Sequence, residues 1–274
     1  MTASGTAARA GDSDALQGLA RVGLVAYGVV HLLVAWLALQ LAWGGGGGSA
    51  DQSGALATLA GKPLGKPLLW VIAVGLFALA LWQLAELLRL RSARADDGKE
   101  KAKAGFKAVK TIGTAVVYAA LGWSAVQFAT GGGGSSAGQQ QQAVSGVLGW
   151  PGGRFWVVVA AAVLLGIGVY HVHKGVTRKF LEDIDTASAS PRATRTVERL
   201  GLVGFPAKGV ALALVGALLA WAAFTFDPEK ASGLDGAMRT VLDAPAGQWL
   251  LTLVALGIVA FGVYLLFRAR YPQR

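Results

Sequence analysis

No cysteine occurs anywhere in this chain of 274 residues. Disulfides, cysteine-ligated zinc, iron–sulfur clusters and thiol nucleophiles are therefore excluded, and cysteine usage says nothing about the redox compartment. Charge is scarce too, at 15% Asp, Glu, Lys and Arg against 54% hydrophobic residues. That balance lies outside ordinary soluble domains and is membrane-like by composition alone. Strict alternation of polar and apolar residues is missing, so a lipid-facing β-barrel has no support. No Gly-Lys pair is followed by Ser or Thr: Gly61-Lys62 and Gly65-Lys66 both precede Pro, which excludes a phosphate-binding loop. Paired carboxylates, a Ser with His and Asp in reach, and metal-ligand clusters are absent at any single depth, so the expectation is a protein that is not an enzyme and carries no cofactor.

Long apolar runs are what the sequence does have. A helix needs about 20 apolar residues to cross roughly 30 Å of hydrocarbon. Six stretches qualify: Leu19 to Trp43, Pro67 to Leu90, Ala108 to Thr130, Arg154 to His173, Leu200 to Phe226 and Gln248 to Phe267. Hydrocarbon offers backbone amides no partner, so these runs are predicted to be helical. The first is longer than a signal-peptide core and reads as an uncleaved helix.

The basic residues set the threading. Nineteen Lys and Arg fall in the N-terminal tail, between Arg89 and Lys110, between Lys174 and Arg199, and from Arg268 to Arg274; five fall in the alternate loops. The positive-inside rule then puts both termini in the cytoplasm. The formal charge of +10 follows from this topology. No nucleic-acid motif accompanies the basic loops, so nucleic acid is not expected as a partner, and the lipid bilayer is.

Self-comparison shows three copies of one two-helix unit. His31 to Gln40 matches Tyr118 to Gln127, with Trp36 on Trp123. The outer loops match in all three copies, at Gly54 to Leu59, Gln142 to Val147 and Gly236 to Val241, each followed by Pro-x-Gly: Pro63 and Gly65, Pro151 and Gly153, Pro245 and Gly247. Gly168 to Tyr170 repeats as Gly262 to Tyr264. Copies of two crossings enter the membrane in the same direction, so the predicted fold is an all-α pseudo-threefold bundle of six transmembrane helices as three parallel repeats. Apolar residues at helical spacing predict short amphipathic helices in the outer loops. The expected organisation is a cytoplasmic tail over 1–18, repeat 1 over 19–92, a basic linker over 93–103, repeat 2 over 104–185, a linker over 186–194 and repeat 3 over 195–274. The Gly44 to Gly48, Gly131 to Gly134 and Gln139 to Gln142 runs read as flexible linkers. Val176, Phe180, Leu181 and Ile184 predict an amphipathic extension along the inner leaflet.

With these residues in hand a resemblance emerges. Val203 to Gly216, Asp227-Pro228, the segment Gly233-Leu234-Asp235-Gly236-Ala237 and Arg270-Tyr271 resemble the family called domain of unknown function 1206. That family is described as a pair of transmembrane helices present three times per protein, mostly in actinobacteria. The resemblance implies the architecture and brings no activity, cofactor or catalytic residue.

Ionisable groups within spans mark the candidate polar site. Lys208, about eight residues into the fifth run, reads either as a cation facing a central cavity or anion site, or as a side chain snorkelling to the interface. Its register mates in repeats 1 and 2 are Tyr27 and Thr114, so no threefold ring of cations exists. Glu86 pairs either with Lys208 across helices or with Arg89 one turn on. His31 lies near mid-membrane, and His171 and His173 lie near the inner end of the fourth run; haem or metal ligation is weighed against hydrogen bonding between helices. The tryptophans sit mostly toward outer span ends, as interface anchors do. The leading expectation is a structural or accessory membrane component with an unidentified membrane-protein partner; the alternative is a small-solute or ion channel or carrier along the pseudo-threefold axis.

Overall fold

The computed structural model describes residues 14–44, 48–92, 98–185, 189–271. Among these, six helices are long and apolar enough to cross a membrane: α1 (Asp14–Ala42), α3 (Gly65–Ser92), α4 (Gly98–Thr130), α6 (Gly153–Val176), α7 (Pro191–Thr225) and α9 (Gly247–Arg270). Three short helices, α2 (Gln52–Ala60), α5 (Ser136–Leu148) and α8 (Gly233–Leu242), cap the face opposite the basic loops. The bundle is thus the all-α membrane architecture of three two-helix repeats. Residues 1–13 of the tail and 93–97 of the basic linker lie outside the described residues.

Local chemistry starts and stops these elements. Asp51, Ser135 and Ser190 accept the amides of Gly54, Gly138 and Ala193, satisfying free N–H groups at the starts of α2, α5 and α7, and Pro191 opens α7 where no amide is needed. The thrice-repeated Pro-x-Gly has a steric cause. A Cβ on Gly65, Gly153 or Gly247 would land on the carbonyl oxygen of Leu59, Val147 or Leu242, where each capping helix turns into the next span.

The spans pack side by side in the order α4, α3, α1, α9, α7, α6. Between repeats the seams share one register. Gly28 of α1 meets Gly262 of α9, and Gly209 of α7 meets Gly168 of α6, where an added Cβ would stand 3.0 Å and 2.6 Å from the opposing carbonyl. The same register between α3 and α4 holds Ala80 and Ala115, both buried. Within repeats, Gly23 lies on Gly75 across α1 and α3, and the equivalent Gly204 and Gly257 let α7 and α9 approach. Small residues bring backbones together where lipid supplies no hydrophobic drive.

The middle repeat breaks this rule. Where repeats 1 and 3 have Gly23 with Gly75 and Gly204 with Gly257, repeat 2 has Lys110 and Val163. No packed interface joins α4 to α6 among the described residues, so the ring is open there. α6 is held along one stripe, Val157, Ala161, Gly168 and Gly175, and only 17% of its apolar window is buried, against 56% in α1.

Two expectations are corrected. Phe180 and Ile184 do not lie along a leaflet: the 3-10 turn Lys179–Asp183 and its C-cap Ile184 carry both into the core, with Phe180 packed beside Gly201 and Phe205. An apolar face serves a core plug as well as a surface helix, and only packing tells them apart. Nor is Gln139 to Gln142 a linker. It forms part of α5, and Gln141 Nε2 donates to the Glu229 carbonyl at 3.1 Å.

Glycine is therefore indispensable only at closed seams. Gly75→Val and Gly257→Val should each lower the unfolding midpoint in detergent, costing about 1–3 kcal/mol by overpacking. Val163→Leu, at the matching position of the open seam, should leave the midpoint unchanged. Equal losses at all three positions would show that the seam is closed in the membrane.

Candidate functional site

The first helices of the three repeats meet at mid-bundle. Lys208 of α7 donates from Nζ to Tyr27 Oη of α1 at 3.0 Å. Its ammonium lies 4.2 Å from the centre of the Phe261 ring and 5.1 Å from that of Tyr27, both cation–π distances. Tyr118 of α4 meets the Tyr27 ring edge-on at 5.3 Å. Lys208 and Tyr27 are register mates, and equivalent residues touch only where the pseudo-threefold axis passes. Pro206, two residues before Lys208, removes one backbone hydrogen bond from the helix there and packs beside Gly175.

His31, buried one turn beyond Tyr27, hydrogen-bonds through Nδ1 to the Tyr27 carbonyl at 2.8 Å. Because a carbonyl only accepts, Nδ1 carries the proton. The His31 ring also meets Tyr27 at 4.4 Å and Phe261 at 5.1 Å. His171 is not brought to His31: its Nδ1 bonds to the Ile167 carbonyl at 2.8 Å and its ring stacks on Phe205. The two histidines therefore do not form a ligand pair, and no group of three metal-ligating side chains occurs among the described residues. Glu86 belongs to α3, but its side chain lies outside the described residues.

A cavity of about 40 Å³ adjoins Lys208 and His31. Val34 and Ile258 form apolar walls, while Gln52 of α2 and Leu234 of α8 roof it from the capped face. Hydrogen bonds link the three capping units: Ala50 N to Asp235 Oδ1 at 2.7 Å, Ser136 N to Ser53 Oγ at 3.0 Å, and Gln141 to the Glu229 carbonyl. Each repeat thus contributes to one lid.

A second polar cluster closes the basic face. Tyr264, fully buried, donates from its hydroxyl to the Phe180 carbonyl at 2.8 Å and lies 3.4 Å from Asp183 Oδ2. Lys174 pairs with the same oxygen at 2.6 Å. Sequence reasoning noted Tyr264 only as part of a repeated triplet and Tyr27 only as a register mate. The triplet and the register were the available signals, and neither told which copy was buried.

Fold and site together define a multi-pass membrane protein of three tandem two-helix repeats around a polar axis. The family model described as Domain of Unknown Function (DUF1206) matches residues 22–86, 109–178 and 203–272, and the chain belongs to that family. It is 28% identical over 255 residues to an uncharacterized protein, YxxB, of Bacillus subtilis (strain 168), covering 92% of this chain and 90% of that protein. No solved structure matches it.

Tyr264→Phe should lower the unfolding midpoint in detergent by removing the buried hydroxyl's hydrogen bond to the Phe180 carbonyl, a cost of about 1–3 kcal/mol. An unchanged midpoint would show that the hydroxyl does not hold the turn.

Proposed function

We propose that this chain is a non-enzymatic accessory component of the bacterial plasma membrane. In this reading the basic face and both termini are cytoplasmic, the three capping helices face outward, and the open middle repeat receives a transmembrane helix of a partner protein. The open seam carries the argument. In repeats 1 and 3 the sister helix covers the face that contains Gly75 or Gly257. In repeat 2 the matching residue, Val163, is exposed, and α6 is anchored along a single stripe. An apolar helix is the element that such a face accommodates in lipid, where association rests on packing.

The carrier reading draws support from the cavity beside Lys208. That cavity runs from Lys208 to the capping helices, and its lining includes no residue of the cluster around Asp183 on the basic face. Accessory function accounts better for a bundle whose polar groups are mostly engaged in packing.

Two measurements test this proposal. A photocrosslinker at Val163 in intact cells should give a discrete protein adduct, whereas one at Leu253, exposed on the outer side of α9, should give lipid adducts alone; the same pattern at both positions would remove the docking edge. The natural absence of cysteine makes sidedness simple to read. Gly138→Cys should react with a membrane-impermeant maleimide in intact cells, and Ser190→Cys should react only after permeabilisation. The opposite pattern would invert the topology.

A further inference from the structure

We infer that the cavity between Lys208 and Gln52 is a binding site for one small, singly charged anion, entered from the capped face. The inference is independent of the partner helix proposed above.

Consider first what Lys208 has around it. An ammonium offers three donors. One reaches the Tyr27 hydroxyl, and the ammonium also lies over the rings of Tyr27 and Phe261. These partners are neutral. Among the described residues no carboxylate comes within ion-pair distance of Lys208, although Lys174, Arg178, Lys230 and Arg239 each have one. Holding a charged group out of water is costly unless a counter-charge accompanies it. Cation–π contacts soften that cost without cancelling the charge.

The cavity lies where a counter-ion would meet the free donors. Its volume of about 40 Å³ has room for two or three waters, and so for one halide or nitrate. A phospholipid headgroup with its glycerol substituents is too large. The Gln52 side chain roofs the cavity and makes no hydrogen bond among the described residues, leaving its amide protons available. Lys208 below and Gln52 above thus present unengaged donors to one cavity. Asp51, next to Gln52 in sequence, does not line that space; its Oδ1 accepts from Ser53 Oγ at 2.7 Å and Gly54 N at 2.9 Å.

The walls set the preference. Val34, Leu234 and Ile258 are apolar and offer nothing to replace a tightly held hydration shell. A weakly hydrated anion, such as bromide or nitrate, loses least on entering, so the site should prefer it to fluoride. Entry from the capped face follows from the roof, because Gln52 and Leu234 belong to the short helices α2 and α8, whose units are tied by the Ala50–Asp235 hydrogen bond and are not part of a span.

The test uses the purified full-length chain in detergent at fixed pH and ionic strength, titrating sodium bromide against sodium gluconate. Bromide should raise the unfolding midpoint saturably in the wild type. Lys208→Met should abolish that response, and Gln52→Leu should weaken the apparent affinity by at least about tenfold. A wild-type midpoint indifferent to the anion, or an undiminished response in Lys208→Met, would overturn the site. Should Lys208→Met fail to fold, crystals of the wild type grown in bromide decide by anomalous scattering. A bromide peak within hydrogen-bond reach of Lys208 Nζ supports the inference, and a cavity holding only water sinks it.

Discussion

Close approach of helix backbones at small residues is the constraint on which this structure depends. In hydrocarbon the backbone amides are satisfied within each helix, and apolar side chains gain little by leaving lipid for protein. What remains is dispersion over surfaces that fit, which falls steeply with distance. Gly28 with Gly262 and Gly168 with Gly209 let two neighbouring pairs of spans touch backbone to backbone, and Ala80 and Ala115 occupy the third seam in the same register. Everything at the axis is positioned by those seams.

The same constraint explains why the ring is incomplete. In the middle repeat Val163 stands where glycine makes the close crossing in the other two, and a β-branched side chain holds backbones apart. The neighbouring seams keep their small residues, so α4 stays attached to α3 and α6 to α7. Repeat 2 is thus divided between its neighbours. A threefold repeat in sequence has become, in three dimensions, two closed pairs and one parted pair.

Much of this was legible in the chain, though unevenly. Six spans, three repeats and the capping helices follow from length, periodicity and self-similarity. The open seam was legible too, since aligning Gly75, Val163 and Gly257 shows it, but repeats invite attention to what matches and not to what differs. Phe180 and Ile184 were misread because amphipathic spacing specifies an apolar face without saying what covers it. Gln139 to Gln142 were misread because low complexity is a statement about composition, whereas a capped start at Ser135 and contacts to the third repeat decide whether a segment is helical. The Lys208 and Tyr27 contact lay in the register all along; what sequence lacks is the position of the axis, which depends on how all the seams close.

That axis also explains why the copies diverge where they do. A symmetric bundle would put three identical side chains at one depth on its centre line. Three lysines there would repel one another in a medium that screens poorly, and three tyrosines at the Lys208 level would crowd a space that the close seams keep narrow. Divergence resolves both problems: Lys208 from one copy donates to Tyr27 from another, while the third copy supplies the smaller Thr114 at that register and Tyr118 one turn beyond. Positions at the closed seams tolerate only small residues and so stay alike. Axial positions tolerate only complementary ones, so they must differ, and a polar site in a repeat protein of this kind belongs where its copies agree least.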